Sequence, residues 1–342
     1  MLYPAGKLPQ RELSRLLARY AKKDSRVVVR PGVGRDAAVI SFPDRYLVVK
    51  TDPITFATDQ IGWYVVHINA NDVAAMGGIP RWFLATLLLP AVQVGSDEVE
   101  AIFAQISGAC DELGIVLCGG HTEMTIGIDR PIVVGQMLGE VAKEKLVIPD
   151  RARPGDEILL TKGIAIEGTA LIARERGELK EHFDEDWLQQ CRNLLKVPGI
   201  SVIREARIAN EVAEVHAMHD PTEGGLATGL YELAAAARVG MLVEMEKISI
   251  LPETALLCRE LQLDPLGLIA SGALLIVSSP EDSCQIREAL MAEGISASVI
   301  GRIRESEKGV KLLSQGKIVD LPFFNRDEVA RLFERGDRKS VV

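Results

Sequence analysis

The chain has 342 residues, 47% hydrophobic and 25% charged, which are ordinary values for globular domains, and its length allows two domains with separate cores. Its net charge of −9 argues against a general nucleic-acid binder, which needs a basic face, and its only long apolar run, 82–92, is far short of the roughly 20 residues of a membrane span. Five cysteines (Cys110, Cys118, Cys191, Cys258, Cys284) form no C-x-x-C pair and no export signal is read, so the expectation is a cytoplasmic protein with free buried thiols rather than a zinc or disulfide framework.

In chain order, Leu13, Leu16, Leu17 and Tyr20 share a helical face, which predicts a helix from near Pro9; ahead of it, Gly6-Lys7 makes Lys7 a cation on a tether. Strands are expected over 27–29 and 37–42, separated by the glycine-rich turn Pro31-Gly32-Val33-Gly34-Arg35-Asp36. The run 46–49 reads as a strand that delivers Asp52 at its carboxyl end. From Ile61 onward, helical period puts Val65, Ile68, Asp72, Ala75 and Met76 on one face, so a carboxylate interrupts an apolar stripe. Out of water, such a group must be paired, hydrogen-bonded or bound to a cation. Single aspartates often cap helices or shape turns. Asp52, Asp59 and Asp72 together, with Asn69 and Asn71 on the same helix and Asp36 as a fourth carboxylate, favour a divalent-metal site.

Gly77-Gly78-Ile79-Pro80 should stop that helix, and 81–89 should form a strand that is apolar on both faces. A helix over 96–113 follows, capped by Ser96, with Val99, Ile102, Phe103 and Ile106 inward. A short buried strand, 115–118, then runs into Gly119-Gly120-His121-Thr122-Glu123-Met124, read either as a loop able to approach phosphate or metal or as a tight turn with a solvated histidine. After a strand over 131–141, Arg151 to Asp156 looks like an exposed linker dividing the chain into domains 1–150 and 151–342.

The second half shows strands at 157–161, 215–218, 272–277 and 297–303, and helices at 167–176, 187–195, 202–212, 226–238 and 282–293. Gln315-Gly316 marks a hairpin turn, and a short helix closes the chain over 327–333. The alternation is too irregular for a doubly wound parallel sheet. His219-Asp220-Pro221-Thr222-Glu223-Gly224-Gly225 precedes a helix whose free amides and partial positive charge suit a phosphate. Asp220 would repel that phosphate unless a cation bridged them, which points to Mg²⁺. No G-x-x-x-x-G-K-[ST] sequence is present, so a P-loop is excluded.

The segments VGRDAAVI, KTDPITF, DQIG, NANDVAAMGGIPR, CGGHTE and HDPTEGGLAT, in that order, resemble the aminoimidazole-ribonucleotide (AIR) synthetase or PurM-like superfamily, and within it the HypE branch of hydrogenase-maturation proteins. The resemblance covers most of the chain. It implies an α+β fold of two PurM-like domains, the first forming a dimeric β-barrel, and an enzyme that uses ATP and Mg²⁺ to activate an amide, carbamoyl or similar oxygen by phosphoryl transfer. By motif, Asp36, Asp52, Asp72 and Asp220 would coordinate Mg²⁺–ATP, with Asp52, Asp72 and Asp220 central to catalysis and Asn71 and Glu123 beside them. Gly119, Gly120 and Thr222 would approach the phosphates, His121 completes the Gly-Gly-His order of selenophosphate synthetases, and the Lys7 segment would close over the nucleotide. A small-molecule kinase resembling thiamine-monophosphate kinase and a non-catalytic, nucleotide-binding dimeric scaffold are the alternatives. Two departures stand out. Gly34-Arg35-Asp36 replaces the Gly-Asp-Asp common in relatives, and the chain ends Arg338-Lys339-Ser340-Val341-Val342 where HypE ends in a cysteine that carries the carbamoyl group. The expected partners are therefore a second copy of the chain and a substrate that is a free small molecule or a group on another protein, with no nucleic acid or membrane.

Overall fold

A computed structural model describes residues 7–337. The chain forms two compact units, one made of 24–30 and 36–146, the other of the segment through Lys23, 31–35 and 147 onward. The first helix, α1 (Gln10–Tyr20), and the turn 31–35 thus belong with the carboxy-terminal half.

The first unit contains β1 (Val27–Val29), β2 (Ala38–Ser41), β3 (Tyr46–Ile54), α2 (Ile61–Ala75), β4 (Ile79–Pro90), α3 (Ser96–Leu113), β5 (Val116–Thr125) and β6 (Ile132–Val141). Its six strands lie in the order β1-β2-β3-β6-β4-β5, antiparallel except for the parallel β4–β5 pair. α2 packs on β3 and β6 on one side and α3 on the other, so all of its residues are buried, Asn69, Asn71 and Asp72 included. The expected Ser96 cap is not made: Gly95 holds the cap position, and the Ser96 hydroxyl meets Asp97 at 3.2 Å instead. Phe103, expected inward, is exposed.

The larger correction is β5. The short buried strand and glycine loop are instead one continuous, exposed ten-residue strand at the sheet edge. Gly120 explains the difference, because a Cβ there would lie 2.0 Å from the Ala85 carbonyl oxygen, and its φ of +151° suits glycine. The residue lets β5 approach β4 rather than breaking the strand.

The second unit holds α1 and, from Glu157 onward, β7 (Glu157–Thr161), α4 (Ile166–Glu175), α5 (Glu185–Asn193), α6 (Ile203–Val212), β8 (Ala217–His219), α7 (Gly225–Ala237), β9 (Gly240–Glu244), α8 (Pro252–Leu261), β10 (Leu275–Ser278), α9 (Pro280–Ala292), β11 (Ala297–Arg304), β12 (Val310–Ser314), β13 (Lys317–Asp320) and α10 (Glu328–Asp337). The seven strands run β13-β12-β9-β11-β7-β10-β8, antiparallel except for β9–β12. Ile158 and Leu160 of β7, Leu275 and Val277 of β10, and Leu226, Leu230 and Leu233 of α7 share the core. The Gln315-Gly316 turn is present, with φ of 49° and 74°. β9 and α8 are absent from the sequence reading, although Pro252 at the first helical position marks the start of α8. The expected linker is only partly exposed. Asp156 is buried, accepts from the Arg153 amide at 2.9 Å and lies 2.7 Å from His216 Nδ1.

Each unit is a mixed α+β structure around a mainly antiparallel sheet, as expected. Among the described residues no helix is long and apolar enough to cross a membrane. All five cysteines are free, but Cys118 and Cys284 are exposed, contrary to the expectation of uniformly buried thiols.

Candidate functional site

In the first unit, Asp52 lies inside β3, two residues before its end, where the sequence placed it just beyond a shorter strand. Strand period puts Lys50 on the same face. Lys50 Nζ stands 3.3 Å from Asp52 Oδ2 and 3.0 Å from Asp72 Oδ1 on α2. Asn69, one turn before Asp72, fastens the helix to the strand by donating from Nδ2 to the Asp52 carbonyl at 3.2 Å and to Val65 O at 2.8 Å. Gly135 on β6 leaves room for that amide, since a Cβ there would meet Asn69 Nδ2 at 2.3 Å.

The charges in this cluster are unbalanced. Burial raises the proton affinity of Asp72, the Asp52 and Asp36 carboxylates push the same way, and Lys50 opposes them. Burial works against a charged Lys50, but Asp72, Asp52 and Asp36 outweigh it and hold the ammonium protonated. One ammonium therefore faces three carboxylates. Asp72 Oδ2 is buried and makes no hydrogen bond. Hard carboxylate oxygens with surplus negative charge and an orphaned acceptor fit a divalent cation such as Mg²⁺. Lys50 was missed as a site residue. Its signal was a lysine two places from Asp52 in an otherwise apolar strand.

Asp59 is exposed just before α2, and Asn71 is buried within it. Gly119, Gly120, His121 and Glu123 lie along β5 rather than in a loop. His121 Nε2 and Glu123 Oε2, exposed and 3.7 Å apart, share one face of that strand.

In the second unit, β8 ends at His219, followed by the buried Asp220 and by Thr222, Glu223 and Gly224, which lead into α7. Lys7 is tied down there: its amide donates to Glu223 Oε1 at 3.2 Å, and its Nζ lies 3.4 Å from Thr222 Oγ1 and 3.5 Å from Glu232 Oε1. The other Glu232 oxygen meets His219 Nε2 at 3.3 Å. Burial opposes the Glu232 charge, yet the His219 contact and Lys7 prevail and hold its pKa down at about 2.

The start of α7 is less open than the sequence suggested. Gly224 N donates to Asp327 Oδ2 at 2.6 Å, and Val329 N donates to Asp327 Oδ1 at 2.7 Å. A carboxylate thus already occupies an amide that was expected to be free for phosphate. Burial lifts the pKa of Asp327 to about 7 against these hydrogen bonds, with Glu223 adding like charge.

The N-terminal domain model of AIR synthase related proteins matches residues 34–141, and the C-terminal domain model matches residues 153–312. The chain belongs to the AIR synthase related family. Carbamoyl dehydratase HypE of Cupriavidus necator is 30% identical over 288 residues, 80% of this chain and 77% of that protein. Thiamine-monophosphate kinase of Pyrococcus horikoshii is 27% identical over 305 residues, 85% of this chain and 88% of that one. The crystal structure of hydrogenase maturation protein HypE in complex with ATP has a similar fold, with a TM-score of 0.70 at 22% identity, covering 96% of this chain and 98% of the other.

Within this AIR synthase related chain, the Gly-Arg-Asp departure has a local explanation. Arg35 donates to both carboxylate oxygens of Asp150, at 2.8 and 3.1 Å. Gly6 and the tail 338–342, on which other expectations rested, lie outside the described residues.

Proposed function

We propose that this AIR synthase related protein is an ATP- and Mg²⁺-dependent enzyme that activates the oxygen of an amide, carbamoyl or similar group by phosphoryl transfer. The observation that carries the reading is the cluster of Asp36, Asp52 and Asp72 around a single ammonium, with Asp72 Oδ2 buried and without a hydrogen bond. In this reading Asp36, Asp52 and Asp72 hold Mg²⁺ with Asn71 beside them, and Asp220 of the second unit keeps the Mg²⁺-ligand role that the resemblance implies. A bound divalent ion neutralises phosphate charge during phosphoryl transfer. Lys50 positions Asp52 and Asp72 through its two ion pairs and opposes the burial that lifts the pKa of Asp72 to about 7. Lys7 and Thr222 offer donors to phosphate oxygens, and the β5 residues Gly119, Gly120, His121 and Glu123 belong to the same nucleotide-binding assignment. Residues 1–150 are assigned nucleotide binding and dimerisation, 151–342 form the second domain, and the enzyme works in the cytoplasm as a homodimer.

The similarity to thiamine-monophosphate kinase over 85% of the chain supports a second reading, a kinase whose product keeps the phosphoryl group. A non-catalytic scaffold fits less well, because a buried cluster of carboxylates with no cation to serve is costly.

Calorimetry with Mg²⁺–ATP tests the site. Asp52→Asn, Asp72→Asn and Asp220→Asn each remove one charge at constant shape and should weaken binding by at least about 1 kcal/mol, roughly fivefold. Unchanged affinity in all three variants would refute it. Mass spectrometry of products from carbamoyl, carboxamide and thiamine-phosphate substrates separates the two chemistries, since only the kinase leaves a stable phosphorylated product.

A further inference from the structure

The second unit contains a polar pocket of about 370 Å³ between β7, β9, β11 and the first turns of α9. A register shift in β11 between Val299 and Gly301 places both of those residues in its wall. Three cations and two carboxylates line it. Arg302 lies 3.3 Å from Glu157, and Lys247 lies 2.8 Å from Glu244. Arg287, exposed on α9, has no ion pair among the described residues and gives the pocket its surplus positive charge. Ser283 lies one helical turn earlier on the same face. It is fully buried and lines the pocket, and its hydroxyl makes no hydrogen bond. A helical serine hydroxyl commonly bonds the carbonyl four residues back, and leaving it unsatisfied in a buried position is costly.

We propose that this pocket binds a small phosphomonoester. A guanidinium fork beside a hydroxyl donor suits phosphate oxygens without a metal. Glu157 and Glu244, already neutralised by Arg302 and Lys247, are acceptors for hydroxyl or amino groups on the rest of the ligand. The site is built from residues outside both acidic clusters and stands independently of the nucleotide assignment.

Cys284, an exposed thiol in the same wall, provides the readout. The full chain is alkylated with iodoacetamide, with and without sn-glycerol 3-phosphate or inorganic phosphate, and each cysteine peptide is quantified by mass spectrometry. Glycerol 3-phosphate at about ten times its Kd should slow Cys284 alkylation about tenfold, leaving the alkylation rates of the other four cysteines unchanged as the internal control. Arg287→Ala should abolish protection and Arg287→Lys should retain part of it. Asp72→Asn should protect as the unmodified chain does, which keeps this result separate from the nucleotide reading. No protection up to roughly 100 mM ligand, where even millimolar affinity saturates, overturns the proposal. So does protection that persists in Arg287→Ala. Calorimetric titration of glycerol 3-phosphate into the same variants gives a second measure and should lose its signal only in Arg287→Ala.

Discussion

Lys50 shows how a single residue can set the state of a cluster. It sits in an interior that would ordinarily favour a neutral amine, and it stays charged because Asp72, Asp52 and Asp36 surround it. Lys50→Gln should leave a buried Asp72 without its ammonium and cost about 3–5 kcal/mol, read as a lower denaturation midpoint. Mg²⁺ should recover more stability in that variant than in the unmodified chain, since it supplies the missing positive charge. Equal Mg²⁺ responses in chelator-controlled melts would contradict the shared-charge account. Asp327 works in the opposite direction. Its folded pKa, about 7, lies above the ordinary aspartate value near 4, so the folded state binds its proton more tightly than the unfolded state does. That contribution to stability is full below about pH 4 and is lost as pH rises toward 7. Asp327→Asn should flatten the stability profile over that window, whereas an unchanged slope would place the titration elsewhere. Asp72 was legible from sequence because helical period exposes a charge in an apolar stripe. Asp327 was not, since its partner Gly224 is 103 residues away and no local pattern encodes that contact.

At the scale of elements, long amphipathic segments were easy to read and strand continuity was not. α3 runs from Ser96 to Leu113 as expected, because its apolar spacing is sustained over several turns. β5 was misread because paired glycines ordinarily end a strand, and only the tertiary approach of Ala85 on β4 shows why one is needed within it. β9 is short and lies on a path that the sequence pattern alone does not separate from the preceding helix. Gly120→Ala should therefore act first on stability. With a Cβ placed 2.0 Å from a carbonyl oxygen, β5 must shift away from β4, and a loss of about 2–4 kcal/mol in chemical denaturation is expected. Full stability with only nucleotide affinity reduced would return Gly120 to a phosphate-contacting role.

For the whole molecule, the ordered motifs were specific enough to place the chain in its family, whereas the partner of its open sheet edge is not written in any single segment. β5 exposes Val116, Leu117 and Met124, and Trp82 on the adjacent β4 is also partly exposed. A ten-residue edge strand also presents unpaired amides and carbonyls, a liability that proteins usually cover. A second copy of the chain is the cover that the family resemblance implies, and it would bury these side chains without requiring any other partner. Light scattering at low micromolar concentration should then report twice the chain mass. Leu117→Glu combined with Met124→Arg should yield the single-chain mass, with far-ultraviolet circular dichroism preserved, because two charges that are solvated in the separate chain would have to be desolvated at the interface. A single-chain mass for the unmodified protein, or a dimer indifferent to both substitutions, would remove β5 as the dimer contact.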